Sequence, residues 1–372
     1  MFLELTDDQR LFQETTARFI ESESPITKVR AWQGESMGYD KDWLRRGAEL
    51  GWFAMLVPEA LGGGSVSGNA LADAAIASIE MGRNVQPGPF IPMNVVVDTL
   101  ANFASASQHE SWMWPIVAAD LVATWAFADQ DGNIDFGQGL SVIPTNDGML
   151  LNGVRGLVQD AQSSDLLLVV GNVNGRTAHV LVPTSASGVN VTPLKTLDLS
   201  RRFAEVSFVD VVVGADALVG DDGIAMAQRQ LRIAIALACA ETIGVIDWLF
   251  TNTVEYSKVR TAFGRPIGSY QALKHIMADL GLYVEMAKAG ATSLIESVQN
   301  DADDADDVTA MCASFVGDTA VTVSQEALQL HGGIGYTWEH DLHLFLRRAR
   351  SNSLMYGSPT WHRERLVAQH GL

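Results

Sequence analysis

The spacing of apolar and polar positions divides the chain into three regions, and the first of them is helical. Thr6 precedes Asp7 and Asp8, which is typical of a helix start, because a threonine side chain can cap the first backbone N–H groups and acids complement the helix dipole. Apolar periodicity predicts further helices over 42–50, 71–81 and 94–103. Consecutive glycines at 62–64 predict a loop between the first two of these helices. We therefore predict an N-terminal helical domain over residues 1–116.

The pattern changes after residue 116, where short β-type runs are separated by Gly, Asn, Asp, Pro and Ser. These runs lie at 121–127, 149–151, 166–170, 179–182, 189–191 and 205–212. We therefore predict a compact β-barrel or sandwich domain over residues 117–222.

The helical period returns over long distances in residues 223–372. Helices are predicted over 225–259, 270–300, 305–330 and 341–350. Four helices with short connections form a bundle. The whole chain is therefore predicted to be an α+β protein that ends in a four-helix bundle.

Composition narrows the class of function. The net charge of -19 argues against polyanionic partners, namely nucleic acids and anionic membranes. The longest wholly apolar run, 233–240, is far shorter than a membrane span, so we expect no membrane insertion. Neither Cys239 nor Cys312 has the spacing of a metal or redox motif, and the N-terminus lacks the basic region of a signal peptide. We expect a reduced, cytoplasmic protein without a metal site.

Polar groups around two short turns stand out in the C-terminal region. Arg260 and Phe263 lie in a turn that is followed by Gln271. Gly332 and Gly333 form a second turn after a long helix. Arginine is a planar, permanently charged donor that suits phosphate, and glycine lets the backbone approach a ligand closely. The alternative is that Arg260 caps a helix C-terminus and that the glycines only make a turn.

These motifs resemble those of the acyl-CoA dehydrogenase family over nearly the whole chain. The most specific are Arg-x-x-Phe-Gly-Arg-Pro-Ile at 260–267 with Gln271, and Glu-Ala-Leu-Gln-Leu-His-Gly-Gly-Ile-Gly-Tyr at 326–336. Further similar segments lie at 56–63, 197–202 and 215–220. Because both C-terminal motifs occur in the family's order and context, they identify the family more specifically than a glycine pair alone.

The resemblance implies FAD-dependent removal of two hydrogens from the α and β carbons of an acyl-CoA thioester. The family uses a carboxylate base for the α proton and the flavin for the β hydride, and electron-transfer flavoprotein is the implied electron acceptor. Each flavin is shared between two subunits of a tetramer, which can be homomeric or heteromeric. The contacts that a neighbour supplies in the family correspond here to Arg260, Phe263, Gln271, Gln329, Gly332 and Gly333.

The other half of the flavin site departs from the family pattern. The loop after the first strand carries hydroxyl groups in the family, whereas the corresponding residues 128–133 have none. Gln159 replaces the hydroxyl expected near the flavin N5, and Pro359 interrupts the C-terminal segment at 357–362. The chain is therefore better equipped to complete a partner's flavin site than to hold a flavin alone.

Neither of the family's positions for the catalytic base carries a carboxylate. Counted from the motifs, these positions fall on Tyr356 and Ala234. Glu241 follows Ala234 on the same helix, about 10 Å further along at the usual rise per residue. It is either a relocated base or a carboxylate paired with a cation or a backbone group, since a buried charge needs a partner.

The segment at 331–341 is similar to sequences of actinobacterial sterol-degrading acyl-CoA dehydrogenases, in which one subunit type lacks a full flavin site. This resemblance implies a bulky acyl group, such as a steroid side chain. Three hypotheses stay open. The chain is a subunit that completes a partner's flavin site, a self-sufficient homotetrameric dehydrogenase with Glu241 as base, or a non-catalytic structural subunit.

Overall fold

The computed structural model describes residues 4–35, 37–134, 136–146 and 148–371. It confirms the predicted order of a helical, a β and a second helical region. The α-helices are α1 (Asp7–Glu23), α2 (Ile26–Trp32), α3 (Lys41–Glu49), α4 (Ala70–Arg83), α5 (Phe90–Phe103), α6 (Ala106–Gln108), α7 (Trp114–Val117), α8 (Gly223–Val259), α9 (Gln271–Gln299), α10 (Ala305–His331), α11 (Leu342–Met355) and α12 (Pro359–Gln369). The strands are β1 (Ala123–Ala126), β2 (Leu140–Thr145), β3 (Gly148–Gln159), β4 (Leu166–Val173), β5 (Arg176–Pro183), β6 (Val189–Leu194), β7 (Phe203–Val213), β8 (Leu218–Val219), β9 (Thr261–Ala262) and β10 (Arg265–Pro266).

The chain forms two compact units, and each is assembled from separate stretches of sequence. The helical unit comprises Met1–Arg30, Ala75–Gln86 and Ile235–Leu372. The sheet unit comprises Ala31–Ala74 and Pro87–Ala234. The domain limits that we placed after residues 116 and 222 stay a prediction.

The sheet unit is built on one mixed sheet of eight strands with the order β6-β7-β3-β2-β4-β5-β8, on which β1 pairs with β4. β4 runs antiparallel to β5 along its whole length, whereas β1 and β2 pair with β4 in parallel. Its fully buried core includes Leu140, Leu151, Leu167, Val169, Val180, Val182, Val206, Phe208 and Val211. The sequence did not reveal β2, because its alternation of apolar and polar residues is short and Pro144 interrupts it.

Close packing of α4 against α8 shapes the helical unit, and two glycines permit it. A Cβ atom on Gly82 would lie 1.9 Å from the backbone oxygen of Glu241, and one on Gly244 would lie 2.0 Å from that of Ile79. Any side chain at either glycine would therefore push the two helices apart. This contact fixes the part of α8 that carries Glu241.

Local sequence explains two helix starts. The predicted start at Thr6 is confirmed, since its hydroxyl accepts from the Gln9 N–H (3.2 Å) while the Gln9 side chain accepts from the Thr6 N–H (3.1 Å). Pro359, which interrupts the family pattern, begins α12, a helix that we did not predict. Proline is tolerated there because the first turn of a helix does not use its N–H groups. Ser358 caps α12 by accepting from the Trp361 N–H (3.1 Å).

Among the residues that the structure describes, one helix, α8, is long and apolar enough to cross a membrane by length and composition. Of its most apolar window, 83% is buried inside the protein. An apolar helix buried in this way has the character of a core helix.

Candidate functional site

Residues 260–266, which we call the arm, follow α8 and present Phe263 at their tip. Ala262 pairs with Arg265 across the antiparallel strands β9 and β10, so Phe263 and Gly264 alone form the connecting loop. Both have positive φ, +53° and +81°, which is typical of a type I′ hairpin turn. Asn, Asp or Gly is usual at the first position of such a turn, and a bulky residue there is strained. Strain of this kind is typical of a functional position.

The groups around the arm are directed at solvent. The side chain of Phe263 is 97% exposed. Arg260, at the base of the arm, and Gln271, the first residue of α9, are also exposed. Burying an aromatic side chain is worth roughly 1.5–3 kcal/mol, so this chain leaves that binding energy unused. The three groups are available to a ligand or to a second protein.

Gly332 and Gly333, which we call the glycine turn, follow the end of α10. Gly332 has a φ of +66°, and a Cβ atom on either glycine would meet no atom of the described residues within 4 Å. The backbone is therefore open to a ligand on that side. Gln329 is exposed about one turn earlier, and its backbone oxygen accepts from the Gly332 N–H.

An aromatic stack in the helical unit brings the arm and the glycine turn together. Tyr256, one turn before Arg260, stacks on His331 with ring centroids 4.3 Å apart. The Tyr256 hydroxyl also donates to the backbone oxygen of His331 (3.4 Å), the residue that precedes Gly332. Burial, with a smaller effect of His340, lowers the pKa of His331, so the stacked ring is neutral near pH 7. The stack therefore places the end of α8, from which the arm starts, beside the residue that precedes the glycine turn.

Glu241 lies in a different, buried setting and is 3% exposed. Its carboxylate accepts from the fully buried Arg348 guanidinium (2.5 Å) and from the Asn352 amide (3.2 Å). Arg348 also donates to the backbone oxygen of Gln86 (3.1 Å), and Asn352 to the Thr242 hydroxyl (3.1 Å). We call Glu241, Arg348 and Asn352 the buried ion-pair network.

Of the two alternatives that the sequence left open for Glu241, pairing with a cation is the arrangement present in the structure. A guanidinium at hydrogen-bond distance stabilises the charged carboxylate, and the amide of Asn352 occupies a second oxygen. A role of Glu241 as catalytic base stays a prediction.

The two family positions for the base are both buried. Ala234 is fully buried in α8, and Tyr356 is 6% exposed directly after α11. Tyr356 lines a cavity of about 30 Å³ in the helical unit, together with Thr242, Asn352 and His362. A cavity of this size holds about one water molecule. Burial, reinforced by a nearby arginine, lowers the pKa of His362 to about 4, so its imidazole is neutral near pH 7.

Polar groups of the loop 128–133 in the sheet unit form hydrogen bonds with one another. The carboxylate of Asp129 accepts from the backbone N–H and from the side-chain amide of Asn133 (2.8 and 3.0 Å). Gln159 is 5% exposed, and its amide donates to the backbone oxygen of Gly88 (3.0 Å). These donors are therefore used inside the sheet unit, in contrast to the open groups of the arm.

Sequence reasoning missed Arg348, Asn352 and Tyr270. The need of Glu241 for a counter-charge was the only signal for Arg348, and 25 lysines and arginines could have met it. Tyr270 gave no signal, although its hydroxyl donates to the backbone oxygen of Ala262 in the arm (3.0 Å). Within the described part of the chain, no group of three or more His, Cys, Asp or Glu side chains could hold a metal ion.

Known proteins match almost the whole chain. Residues 6–120 match the family model described as acyl-CoA dehydrogenase, N-terminal domain, and residues 221–370 match that described as acyl-CoA dehydrogenase, C-terminal domain. The acyl-CoA dehydrogenase IpdE2 of Mycolicibacterium smegmatis is 31% identical over 366 residues, which cover 98% of this chain and 99% of that protein.

Two solved structures share the fold. A chain of the ChsE4-ChsE5 complex from Mycobacterium tuberculosis superimposes with a TM-score of 0.91 at 22% identity, covering 100% of this chain and 99% of the other. A chain of a variant of the Tcur3481-Tcur3483 steroid ACAD superimposes with a TM-score of 0.89 at 22% identity, covering 98% and 99%.

Proposed function

This chain belongs to the acyl-CoA dehydrogenase family, and we propose that within it the chain is the subunit that completes a partner's flavin site. Members of the family are oxidoreductases that act on the CH–CH bond of acyl-CoA thioesters and use FAD. The observation that carries the proposal is the arm, because its strained turn presents a 97% exposed phenylalanine outward from the chain.

The residues of this region fit part of an FAD molecule. The open space beside Gly332 and Gly333 admits a phosphate close to the backbone, and the Arg260 guanidinium is a suitable phosphate donor. Phe263 offers an apolar face to the flat adenine ring, and Gln271 offers an exposed amide for hydrogen bonding. When bound, FAD supplies the hydride acceptor. This chain's part is to hold and orient the cofactor.

Features of the sheet unit favour a flavin site that depends on a partner over a site formed by this chain alone. The unit's loop 128–133 has no hydroxyl side chain, and the amide NH2 group of Gln159 donates to a backbone oxygen within the unit. Ala234 and Tyr356 provide no carboxylate at the family's base positions. The proton-abstracting carboxylate is accordingly expected from the partner subunit, which also holds the isoalloxazine.

The names of the two solved structures support the same proposal. One is named as a complex of two different chains, and the other names a pair of chains as a steroid ACAD. By analogy, we propose that this chain is part of a heterotetramer. We also propose that its substrate carries a bulky acyl group, such as a steroid side-chain CoA thioester. Electron-transfer flavoprotein as acceptor and a cytoplasmic location belong to the same proposal.

Two alternatives make different predictions. A self-sufficient homotetramer with Glu241 as base requires that carboxylate to be freed from Arg348. A non-catalytic structural subunit leaves the exposure of Phe263 and the open glycine turn without a use. The first alternative predicts a flavin-loaded protein without any partner, and the second predicts that arm variants leave a partner's flavin unchanged.

The visible absorption spectrum of the purified chain tests the proposal. We expect a colourless protein when the chain is produced alone. Stoichiometric flavin should appear when it is co-produced with an acyl-CoA dehydrogenase chain encoded beside it. Full flavin occupancy in the chain alone would overturn the proposal and favour the homotetramer.

A further inference from the structure

We infer that Tyr270 is a positioning residue that holds the arm in the shape needed for cofactor contact. The inference rests on the proposed function, in which the arm contacts a flavin bound mainly by a partner. It starts from the strained turn at the tip. Phe263 adopts a left-handed conformation that a bulky side chain rarely takes, so neighbouring contacts must hold it there.

The side chain of Tyr270 contacts both strands of the hairpin. Its hydroxyl donates to the backbone oxygen of Ala262 (3.0 Å), the last residue before the turn. The guanidinium of Arg265, the first residue after the turn, lies over the Tyr270 ring at 4.0 Å from its centroid. Ala262 and Arg265 are also strand partners, so one side chain contacts both ends of the two-residue turn. These contacts restrict the turn to the geometry that presents Phe263.

The hydroxyl of Tyr270 does not serve the helix that follows it. Tyr270 stands at the N-cap position of α9, but its side chain makes no capping hydrogen bond there. The base of the arm is closed independently, because the Ile267 N–H donates to the backbone oxygen of Arg260 (2.8 Å). Loss of the Tyr270 hydroxyl should therefore loosen the tip of the arm and leave both α9 and the base of the arm in place.

Limited proteolysis of the full chain, without a partner, tests whether the Tyr270 hydroxyl holds the tip of the arm. Chymotrypsin cleaves after Phe263, at the tip of the arm, when the turn between β9 and β10 opens, and the cleavage at that bond is quantified by mass spectrometry. In Tyr270→Phe, which keeps the ring under Arg265, one hydrogen bond of ordinary strength is lost, so we expect roughly fivefold faster cleavage. Tyr270→Ala should be faster still. Tyr283→Phe, on the exposed face of α9, is the matched control and should cleave like the original chain.

The pattern of cleavage sites separates loosening of the arm from general unfolding. The far-ultraviolet circular dichroism of Tyr270→Phe should match that of the original chain, and its thermal midpoint should fall by no more than about 2–4 °C, because only one hydrogen bond is lost. Equal cleavage rates in Tyr270→Phe and the original chain would overturn the inference. So would faster cleavage at sites throughout the chain, because that pattern indicates general unfolding and not loosening of the arm.

The complex with the partner chain then tests the link to the cofactor. We expect FAD to dissociate roughly fivefold faster from the Tyr270→Phe complex, with the KM for acyl-CoA unchanged at saturating FAD. Unchanged FAD release alongside faster cleavage would overturn the positioning role. Absence of FAD from the original complex would contradict the proposed function instead, and the proteolysis of the chain alone would still decide whether Tyr270 orders the arm.

Discussion

Two regions of the helical unit carry the polar groups that stood out in the sequence, and they differ in what those groups contact. The arm presents Arg260 and Phe263 to solvent from a strained turn. The buried ion-pair network instead bonds its charges to one another and to the backbone oxygen of Gln86. A carboxylate in an apolar helix is thus weak evidence for catalysis, whereas a strained and exposed aromatic residue is better evidence for a contact with another molecule.

The comparison predicts opposite effects of mutation. Variants of the buried ion-pair network should cost stability, because its members hold α8, α11 and the segment after α4 together. Variants of the arm should cost cofactor binding and leave stability nearly unchanged, because the arm buries little within this chain.

The largest effect is expected for Arg348→Met. It leaves Glu241 buried without its counter-charge, which typically costs about 3–5 kcal/mol of unfolding free energy. Urea unfolding of the purified chain measures the loss. The double variant Glu241→Met with Arg348→Met should recover most of it, since an apolar pair needs no counter-charge. Wild-type stability in the single variant would show that the network contributes nothing to folding.

The next largest effect is expected from acidification, which should destabilise the fold through two buried histidines. Burial lowers the pKa of His179 in the sheet unit and of His362 in the helical unit to about 4 each. Unfolding returns both to about 6.5, so the unfolded chain binds more protons between these values. Their contribution is therefore complete above about pH 6.5 and falls by roughly 3 kcal/mol per histidine as the pH approaches 4.

Urea unfolding across this pH range checks that expectation. Replacing either histidine by glutamine should flatten the dependence of stability on pH over the same window. The expectation is wrong if the slope is the same with and without the two imidazoles.

Glu241→Gln should have an intermediate effect and also separates the two roles of this residue. It leaves the Arg348 charge without a carboxylate, so we expect a loss of about 2 kcal/mol in unfolding free energy. Turnover per bound flavin in the complex should stay close to that of the original protein. If turnover instead falls by several orders of magnitude while stability and flavin content are retained, Glu241 is the base.

The smallest effect on stability is expected in the arm. Phe263→Asn places a residue that favours the left-handed conformation at the first turn position, so the chain alone should gain roughly 0.5–1 kcal/mol. The same change removes the exposed ring, and the complex should retain less FAD. Thermal unfolding of the chain and flavin content of the complex are measured together. A variant that loses stability would show that Phe263 is not strained.

The sequence predicted the long helices and most strands, because their apolar periodicity extends over many residues. It did not predict α12, whose only signals were a proline and a serine cap, nor β2, whose apolar alternation is short. Arg260, Phe263 and Gly332 could be found from motifs local in sequence. The partner of Glu241 could not, because Arg348 lies 107 positions away and only the folded chain brings them together.

The most direct test of the central claim is the flavin content of the complex when Arg260→Gln is introduced into this chain alone. The partner keeps its own residues, so any loss of FAD must come from the arm. We predict a clear fall in FAD per complex with no change in the thermal midpoint of this chain. Unchanged FAD in a variant that still assembles with the partner would contradict the claim that this chain completes the partner's flavin site.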